Sequence, residues 1–270
     1  MKGLDKMLNN VMLSGRLTAN PNLTDLDNSK YCKFRIAVKR PRRKNEETPE
    51  TVFVVGGDGT FLKAIHQYVN QLKNLTFIGI HTGTLGFMCD HQKEEIDELL
   101  EKFIHQDPQI RSYPMLEVQL HGCNETVYAF NEARIENMVN TLSLDLWIND
   151  EYFEKFLGSG ICLCSQIGST AINRSLGGAV IQHGLPLLQL SEIMGIHHWK
   201  HRSLRSSLIL KEDAIIHVKP GTFKNAMLCY DHKFMHLDDC TAVTIKNSDR
   251  LVKVAKYSHY SYLSRLKNVF

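Results

Sequence analysis

A single stretch, TVFVVGGDGTFLKAIHQ at residues 51–67, constrains the fold of this chain more than any other part of its sequence. It opens with a short β-branched apolar run, typical of a buried strand, and passes through glycines into a segment with apolar residues at helical spacing. A strand that enters a helix through glycine is the repeating unit of a parallel α/β layer. Because the N-terminus of such a helix presents backbone N–H groups to an anion, the stretch predicts a phosphate-binding loop that contains Asp58.

The segments that follow extend this pattern to about residue 112 and then change. LTFIGI at 75–80 predicts a second buried strand, and residues 90–104 predict a charged helix with one apolar side. From about residue 115 onward, strand-like segments separated by turn residues predict a mainly β region, interrupted by helical segments near residues 169–180 and 185–196. The predicted fold class is α/β to α+β: an N-terminal α/β domain followed by a mainly β C-terminal domain.

Charge and turn residues divide the chain into three parts. Residues 1–50 contain 11 Lys and Arg against 6 Asp and Glu, a net charge of +5, so the remaining 220 residues carry 21 against 23, a net charge of −2. The charged, proline-containing run at 39–50 predicts a solvated linker. We therefore expect a basic, strand-rich segment and linker at 1–50, the α/β domain at 51–112 with 250–270 as a candidate addition to it, and the mainly β domain at 113–250.

The basic N-terminal segment carries a resemblance of its own. NNVMLSGRLTANPNL and KFRIAVKR nearly alternate apolar and polar residues, which predicts two strands of an antiparallel hairpin. At about residues 5–42, this segment resembles the opening strands of the bacterial single-stranded DNA-binding protein family, an OB-fold. That barrel needs about five strands and an aromatic stacking platform. Because the segment offers few aromatic residues, nucleic acid is the less favoured partner of this chain.

Composition indicates the setting in which the chain works. Its 270 residues are 43% hydrophobic and 23% charged, which is typical of a soluble globular protein. The sequence contains no run of about 20 apolar residues that could span a bilayer, and its first residues lack the apolar core of a secretion signal. We therefore expect a cytoplasmic protein with no membrane partner, and reduced thiols at its seven cysteines.

The glycine loop by itself leaves its chemistry open. It matches neither GxGxxG nor GxxxxGK[ST], so it supports neither a dinucleotide-binding turn nor a Walker loop. Because the neighbouring glycines lack side chains, a substrate can approach the Asp58 carboxylate, which could accept a proton from an attacking hydroxyl or hold Mg²⁺ against phosphates. Thr60 is placed to cap the helix. The alternative is a plain turn in which Asp58 acts as the cap.

Motifs along the rest of the chain resemble those of the NAD kinase family. GGDGTFLKA, FIGIHTGTLGF, FNEARI and IGSTAINRSLGGAV occur in that order, followed by VKP, YDHKFMHL and SRLKNVF, so the match spans about residues 50–265. The resemblance implies transfer of the terminal phosphoryl group of ATP, or of polyphosphate, to the 2′-hydroxyl of the adenosine ribose of NAD, with Mg²⁺ or another divalent cation. It also implies NAD and ATP as partners and a homo-oligomer, a dimer or a tetramer, whose site is shared between subunits.

The resemblance also assigns site residues. Asp58 would be the catalytic residue that activates the hydroxyl, and the Asn131–Glu132 pair would hold the adenosine half of NAD, the glutamate through ribose hydroxyls. The other residues implied to bind substrate or nucleotide are Gly57, Gly59, Thr60, Leu85, Gly86, Phe87, Ser159, Thr170, Ala171, Ser175 and His232. We expect no metal site built by side chains alone, because the histidines at 197, 198 and 201 lack a carboxylate or cysteine at ligand spacing.

Several positions depart from the family pattern and leave an alternative function open. Ser159 stands where the family has an aspartate, and Gln166 and Ile172 replace a proline and a tyrosine on either side of its glycine-serine-threonine motif. These changes could weaken NAD binding or alter the preference between NAD and its relatives. The alternative is therefore a catalytically weakened kinase-like scaffold whose basic N-terminal arm binds single-stranded nucleic acid. A lipid or sugar kinase is a third hypothesis.

Overall fold

The computed structural model describes residues 50–83, 86–257 and 261–269, together with the backbone of short strands between residues 16 and 38. The strands are β1 (Arg16–Leu17), β2 (Asn22–Leu26), β3 (Ser29–Lys33), β4 (Ile36–Val38), β5 (Glu50–Val55), β6 (Leu75–His81), β7 (His91–Gln92), β8 (Gln109–His121), β9 (Glu125–Ala129), β10 (Glu132–Glu136), β11 (Leu142–Ile148), β12 (Glu151–Gly158), β13 (Gly160–Cys164), β14 (Leu188–Ile193), β15 (Leu208–Leu210), β16 (Ile216–Pro220), β17 (Met227–Tyr230), β18 (Lys233–His236) and β19 (Ala242–Lys256). The α-helices are α1 (Asp58–Gln67), α2 (Ile96–His105), α3 (Ile172–Ser175) and α4 (Tyr262–Val269), and 3₁₀ turns occur at Leu72–Asn74, Lys93–Glu95 and Ile167–Thr170.

The N-terminal layer contains the strand–loop–helix unit that the sequence predicts. β5 and β6 lie parallel, and α1 connects them. Phe61 and Ile65 of α1 are fully buried, and the Phe61 ring lies 5.8 Å from that of Phe77 in β6. Because parallel strands end at the same edge of a sheet, the loops that follow β5 and β6 meet there. This edge carries the candidate site.

The long strand β19 connects the N-terminal layer to the rest of the molecule. It pairs antiparallel with β8 from Ala242 to Lys256 and parallel with β6, where Val254 lies beside Phe77. Among the described residues the resulting mixed sheet has the order β1-β4-β5-β6-β19-β16-β11-β12, with β7 beside β6 and with β8 between β19 and β9.

A second sheet, of order β15-β14-β13-β10-β17-β18, packs against the large one. Buried side chains of both sheets, such as Leu116, Ile135, Leu144 and Leu163, form one apolar cluster. The arrangement of an α/β layer followed by a mainly β region confirms the predicted fold class. In the described part of the chain, no helix is long and apolar enough to cross a membrane.

Two of the predicted helical segments differ from the structure. Residues 185–196 were expected to be helical, but they contain strand β14, four of whose six residues are buried. β14 begins with Leu188, Gln189, Leu190 and Ser191, whose alternation of apolar and polar residues is the pattern of a strand, so the helix prediction is wrong on the sequence itself. The segment 169–180 is helical only in part, because the 3₁₀ turn Ile167–Thr170 is followed by the single turn of α3.

The two N-terminal segments predicted to pair antiparallel do so through β1 and β4, although no simple hairpin joins them, because β2 and β3 pair with each other between them. β1 pairs with β4, β2 pairs with β3, and β4 continues as the antiparallel neighbour of β5. The linker predicted at 39–50 lies outside the described residues, except for its last one.

The expectation of reduced thiols is wrong for one pair of cysteines. Cys123 and Cys240, which are 117 residues apart, form a disulfide with a Cα–Cα distance of 5.3 Å. The thiols of Cys89, Cys162, Cys164 and Cys229 are free. Sequence spacing alone could not identify the pair, because the two cysteines meet only where β19 pairs with β8 and Ala242 lies opposite His121.

Candidate active site

A small cleft opens at the edge where the loops after β5 and β6 meet. It has a volume of about 150 Å³. One wall consists of α1 and the loop after β6, and the other consists of the turn before β10 and the 167–171 segment. Its lining residues are Asp58, Phe61, Leu62, Phe87, Met88, Phe130, Asn131, Ile167, Thr170 and Ala171. The cleft therefore brings together Asp58, Phe87, Asn131, Thr170 and Ala171 from four separate motifs.

Asp58 is the first residue of α1, and its carboxylate points toward the loop after β6. Oδ2 accepts a hydrogen bond from the backbone N–H of Phe87 at 2.7 Å, and Oδ1 accepts one from that of Met88 at 3.0 Å. A carboxylate has about four acceptor positions, so each oxygen retains one for a further donor. The side chain is half-buried. The Asp58 carboxylate is thus fixed in orientation, and it can still accept further hydrogen bonds.

The predicted cap at Thr60 is not present. Gly57 occupies the N-cap position of α1, and no side chain makes a cap hydrogen bond there. Thr60 lies inside the first turn and is exposed. Asp58 is not the cap either, since its oxygens bond to the loop after β6. The N-terminus of α1 therefore keeps backbone N–H groups that no side chain caps.

The glycines around Asp58 have two different roles. Gly57 and Gly59 are exposed, and a Cβ at either position would meet open space, so the approach to the loop is unobstructed. A Cβ on Gly86, by contrast, would overlap the Asp58 carboxylate. Gly86 is needed for the close approach that lets the next two N–H groups reach Asp58. Leu85 lies outside the described residues.

A buried ionic cluster holds the loop after β6 from behind. Asp90 forms ion pairs with Lys256, at 2.7 Å, and with Arg265 of α4, and all three side chains are at most 8% exposed. Arg265 also donates a hydrogen bond from Nη1 to the carbonyl oxygen of Phe87 at 3.0 Å. The C-terminal helix thus fixes the backbone on which Asp58 depends. No local pattern in the sequence indicates this cluster, because its members are up to 175 positions apart.

The opposite wall is organised by a second carboxylate, that of Asp231. Its oxygens accept hydrogen bonds from the backbone N–H groups of Phe130 and Asn131, both at 2.7 Å, and of Glu132 at 3.3 Å. His66 of α1 lies 2.6 Å from the same carboxylate. These contacts fix the turn that presents Asn131. The sequence contains Asp231 in the YDHKFMHL motif, but it gives no sign that this residue binds the Asn-Glu turn.

Glu132 is buried, with 5% of its surface exposed, and its Oε2 has no hydrogen-bond partner among the described residues. Burial, together with the nearby Asp231 carboxylate, raises the pKa of Glu132 to about 7. A buried acceptor without a partner is costly unless a ligand supplies a donor. The environment of this carboxyl is therefore suited to receiving a hydroxyl group.

The 167–171 segment lies directly against the Asn131 turn. Ser165 donates from its N–H to the Asn131 carbonyl at 2.8 Å and from Oγ to the Phe130 carbonyl at 2.6 Å. A Cβ on Gly168 would overlap the Asn131 backbone, so glycine is required at this position. Thr170 donates to the Ile167 carbonyl at 3.3 Å, and it reaches the cleft without capping α3.

Eight of the described residues predicted for the site are not among those that line this cleft, namely Gly57, Gly59, Thr60, Gly86, Glu132, Ser159, Ser175 and His232. Ser175 is exposed at the end of α3, and Ser159 lies in the turn between β12 and β13, with its Oγ 3.8 Å from the Met194 sulfur. His232 is also exposed, and its ring lies 4.8 Å from that of His66. Partial desolvation on the side that faces the protein, followed by the neighbouring His66, lowers the pKa of His232.

A larger cavity adjoins the cleft. It has a volume of about 690 Å³, and Arg111, Tyr113, Gln166, His183 and Tyr262 are among its lining residues. Gln166 of this cavity precedes Ile167 of the Asp58 cleft, and the ring of Tyr262, which lines the cavity, lies 6.1 Å from that of Phe87, which lines the cleft. The small cleft alone is below the range of about 300–1,000 Å³ that is common for ligand pockets.

Comparison with known proteins identifies relatives along most of the chain. Residues 17–108 match the family model of the ATP-NAD kinase N-terminal domain. An NAD kinase of Leuconostoc mesenteroides is 37% identical over 229 residues, which are 84% of this chain and 86% of that protein. One of Lactobacillus gasseri is 35% identical over 83% of this chain and 85% of that protein.

Two solved structures share the fold. Yeast NADH kinase, solved with NADH, has a TM-score of 0.72 at 20% identity and covers 80% of this chain, which spans 64% of the yeast protein. An NAD kinase of Archaeoglobus fulgidus, solved with ATP, has a TM-score of 0.67 at 20% identity, over 82% of this chain and 84% of that protein.

The family match also bears on the N-terminal segment. Because the matched region begins at residue 17, it includes most of the segment that resembles a single-stranded DNA-binding protein, and that resemblance is not supported. With relatives above one-third identity over most of its length and with the fold of two solved kinases, the chain belongs to the NAD kinase family.

Proposed function

We propose that Asp58 acts as the general base in phosphorylation of the 2′-hydroxyl of the adenosine ribose of NAD. The observation that carries the proposal is the Asp58 carboxylate, which is oriented by two backbone N–H groups in the cleft that also contains Asn131. The exposed glycines on both sides leave room for a substrate. A positioned base of this kind contributes about 10² to 10⁴ in rate.

The proposed reaction is an in-line phosphoryl transfer. The ribose oxygen forms a bond to the terminal phosphorus of ATP or polyphosphate, and its proton passes to a free acceptor position of Asp58. The bond between that phosphorus and the bridging oxygen breaks, and ADP or a shortened polyphosphate leaves. The uncapped N–H groups at the start of α1 suit the charge of the phosphates.

Asn131 and Glu132 would hold the adenosine half of NAD. A vicinal diol supplies two donors, which suits a buried carboxyl whose Oε2 has no other partner among the described residues. Such hydrogen bonds favour the ionised form of Glu132, against the burial that raises its pKa. The remainder of the nucleotide would extend beyond the small cleft, toward the adjoining 690 Å³ cavity.

A divalent cation, Mg²⁺ or another, would be held chiefly by the phosphates of the donor. The described residues contain no cluster of three or more metal-ligating side chains, and Asp58 is the one carboxylate that lines the cleft. This donor set suits Mg²⁺, which is often bound by one or two carboxylates plus substrate phosphates. When bound, the cation would neutralise phosphate charge.

We also infer a homo-oligomer, a dimer or a tetramer. Met138, Val139 and Met194 are each more than 80% exposed, and the backbone of Ser159 bonds to Asn137 and Ile193 beside them. Exposed apolar groups of this size suit an interface between subunits. Ser159 would then serve a shared site. Light scattering coupled to size-exclusion chromatography tests the assembly.

The cytoplasmic location of the protein stays a prediction.

The test of the function is formation of NADP from NAD and Mg²⁺ with either ATP or polyphosphate. We expect product with at least one donor and a loss of kcat of about 10² to 10⁴ in Asp58→Asn, because an amide cannot take the proton. Asp97→Asn is the matched control, since Asp97 also lies in the first turn of a helix, α2, but is exposed and does not line the cleft.

Two results would contradict the proposal. One is a folded wild-type protein that makes no NADP with either donor. The other is an Asp58→Asn variant that turns over as fast as the Asp97→Asn control.

A further inference from the structure

We propose that His66 positions the two walls of the Asp58 cleft relative to each other by holding the Asp231 carboxylate. The inference rests on the proposed function, because it concerns how the base and the NAD-binding pair are kept at a fixed separation. In the sequence, His66 is recognisable only as part of the helical segment that follows the glycine loop.

His66 is too remote to act on the reacting atoms. It follows Asp58 by eight positions on α1, which corresponds to about 12 Å along the helix axis. Its side chain is 5% exposed, and its ring lies against those of Tyr230 and His232. Any influence on the reaction must therefore pass through the groups that it contacts.

The contact between His66 and Asp231 is short and buried. Nε2 lies 2.6 Å from Oδ2, and the Asp231 side chain is fully buried. An ionised carboxylate only accepts hydrogen bonds, so Nε2 carries the proton and donates it. Hydrogen bonds to a buried charge are among the stronger ones in proteins. The pair connects α1 to a residue 165 positions further along the chain.

On its other side, Asp231 holds the turn that carries the NAD-binding pair. It accepts the N–H groups of residues 130, 131 and 132, and its own N–H donates to the Glu132 carbonyl at 3.1 Å. The turn and Asp231 therefore move as one unit. The same unit is attached to α1 through His66.

The apolar contacts between the two walls do not replace this attachment. Phe61 and Ile65 of α1 share a buried cluster with Phe130 and Ile167. Apolar contacts are non-directional and tolerate sliding, whereas a hydrogen bond fixes distance and angle. A small displacement of a bound group can cost a large factor in rate. The His66–Asp231 pair thus supplies the directional constraint across the cleft.

The test compares His66→Met with His66→Gln. Methionine fills a similar volume but has no donor, and the Gln amide nitrogen can reach the position of Nε2. We expect His66→Met to raise KM for NAD about tenfold, the value of one lost hydrogen bond, and to leave KM for ATP within about twofold. We expect His66→Gln to restore most of the NAD affinity.

The matched control is His217→Met. His217 is half-buried in β16, bonds to Thr244 at 3.0 Å and does not line the cleft. We expect both KM values to remain at the wild-type level in this variant. Thermal melts followed by circular dichroism identify a temperature at which all variants are folded. If His66→Met does not fold, His66→Asn, whose shorter amide falls short of Asp231, takes its place with the same expectations.

Three outcomes overturn the inference: unchanged KM values in folded His66→Met, equal rises in both KM values, or a His66→Gln variant as impaired as His66→Met. A wild-type protein that makes no NADP would instead refute the proposed function. Calorimetric titration with NAD then decides the inference separately, and equal affinity in wild type and His66→Met, or no binding in either, overturns it.

Discussion

Asp58 and Asp231 each accept backbone N–H groups from a loop that is distant in the sequence. Asp58 accepts two, from Phe87 and Met88, is half-buried and faces the cleft. Asp231 accepts three, together with the His66 ring, and its side chain is fully buried. Both aspartates therefore bind a loop through backbone N–H groups, but only Asp58 keeps acceptor positions that the protein does not occupy.

The difference suggests how one residue type serves two purposes. A carboxylate whose acceptor positions are all occupied by the protein can hold other groups in place, but it cannot receive a proton from a substrate. One that retains positions toward a cleft can also receive a proton from a substrate. Loss of the first should thus appear mainly in stability, and loss of the second mainly in turnover.

The largest effect on stability is expected for Asp231→Asn. Asparagine tolerates the positive φ of 54° at this position, so the backbone can be kept. The NH2 group of the new amide would take the place of one carboxylate oxygen and would lie against N–H donors. We therefore expect a loss of about 3 kcal/mol in the free energy of unfolding. Urea unfolding measures it. Asp238→Asn is the control, because that exposed carboxylate accepts only the Asn225 N–H among the described hydrogen bonds, at 2.8 Å. A loss equal to that of the control would remove the contrast between the two aspartates.

The next effect concerns Glu132 and has the opposite sign. Burial raises its pKa from 4.5 to about 7, so the folded state binds more protons than the unfolded state between these values. Its contribution to stability is present below pH 4.5 and is lost as the pH rises through 7. We therefore expect Glu132→Gln to gain up to about 3 kcal/mol relative to wild type as the pH rises from 4.5 to 8.

Urea unfolding of Glu132→Gln and wild type at several pH values measures this difference. Glu125→Gln, at an exposed position on β9, should give a difference that does not change over the same range. If the difference in unfolding free energy between Glu132→Gln and wild type also stays constant with pH, burial of the Glu132 carboxylate does not destabilise the protein. A gain in stability combined with weaker NAD binding would mark Glu132 as a residue retained for its ligand.

The smallest effect is expected for Gly86→Ala, which displaces Asp58 without removing any charge. The added Cβ would overlap the Asp58 carboxylate and force it away from its two N–H donors. We expect kcat to fall about 10- to 100-fold, because the base is misplaced. Gly83→Ala, where a Cβ would meet open space, is the control from the same loop. Equal kcat values for the two variants would show that the orientation of Asp58 is unimportant.

Local pattern accounts for much of what could be predicted. The strand–glycine–helix unit at residues 51–67 follows from apolar spacing and glycine content, and the structure contains β5 and α1 there. The helix predicted at 185–196 is wrong, because the alternating residues from Leu188 to Ser191 begin strand β14, which pairs with β13 and β15. The cap predicted at Thr60 is wrong, because Gly57 holds the N-cap position of α1.

The sequence by itself determined the family, the glycine loop with its lone carboxylate, and the motifs that line the cleft. Tertiary structure alone decided how that carboxylate is oriented, which partner holds the Asn131 turn, and which cysteines meet. His66 and Asp231 are 165 positions apart, and Arg265 and Phe87 are 178 apart. Periodicity and spacing report on neighbours along the chain, whereas these hydrogen bonds arise only once packed strands and helices bring remote segments within about 3 Å of each other.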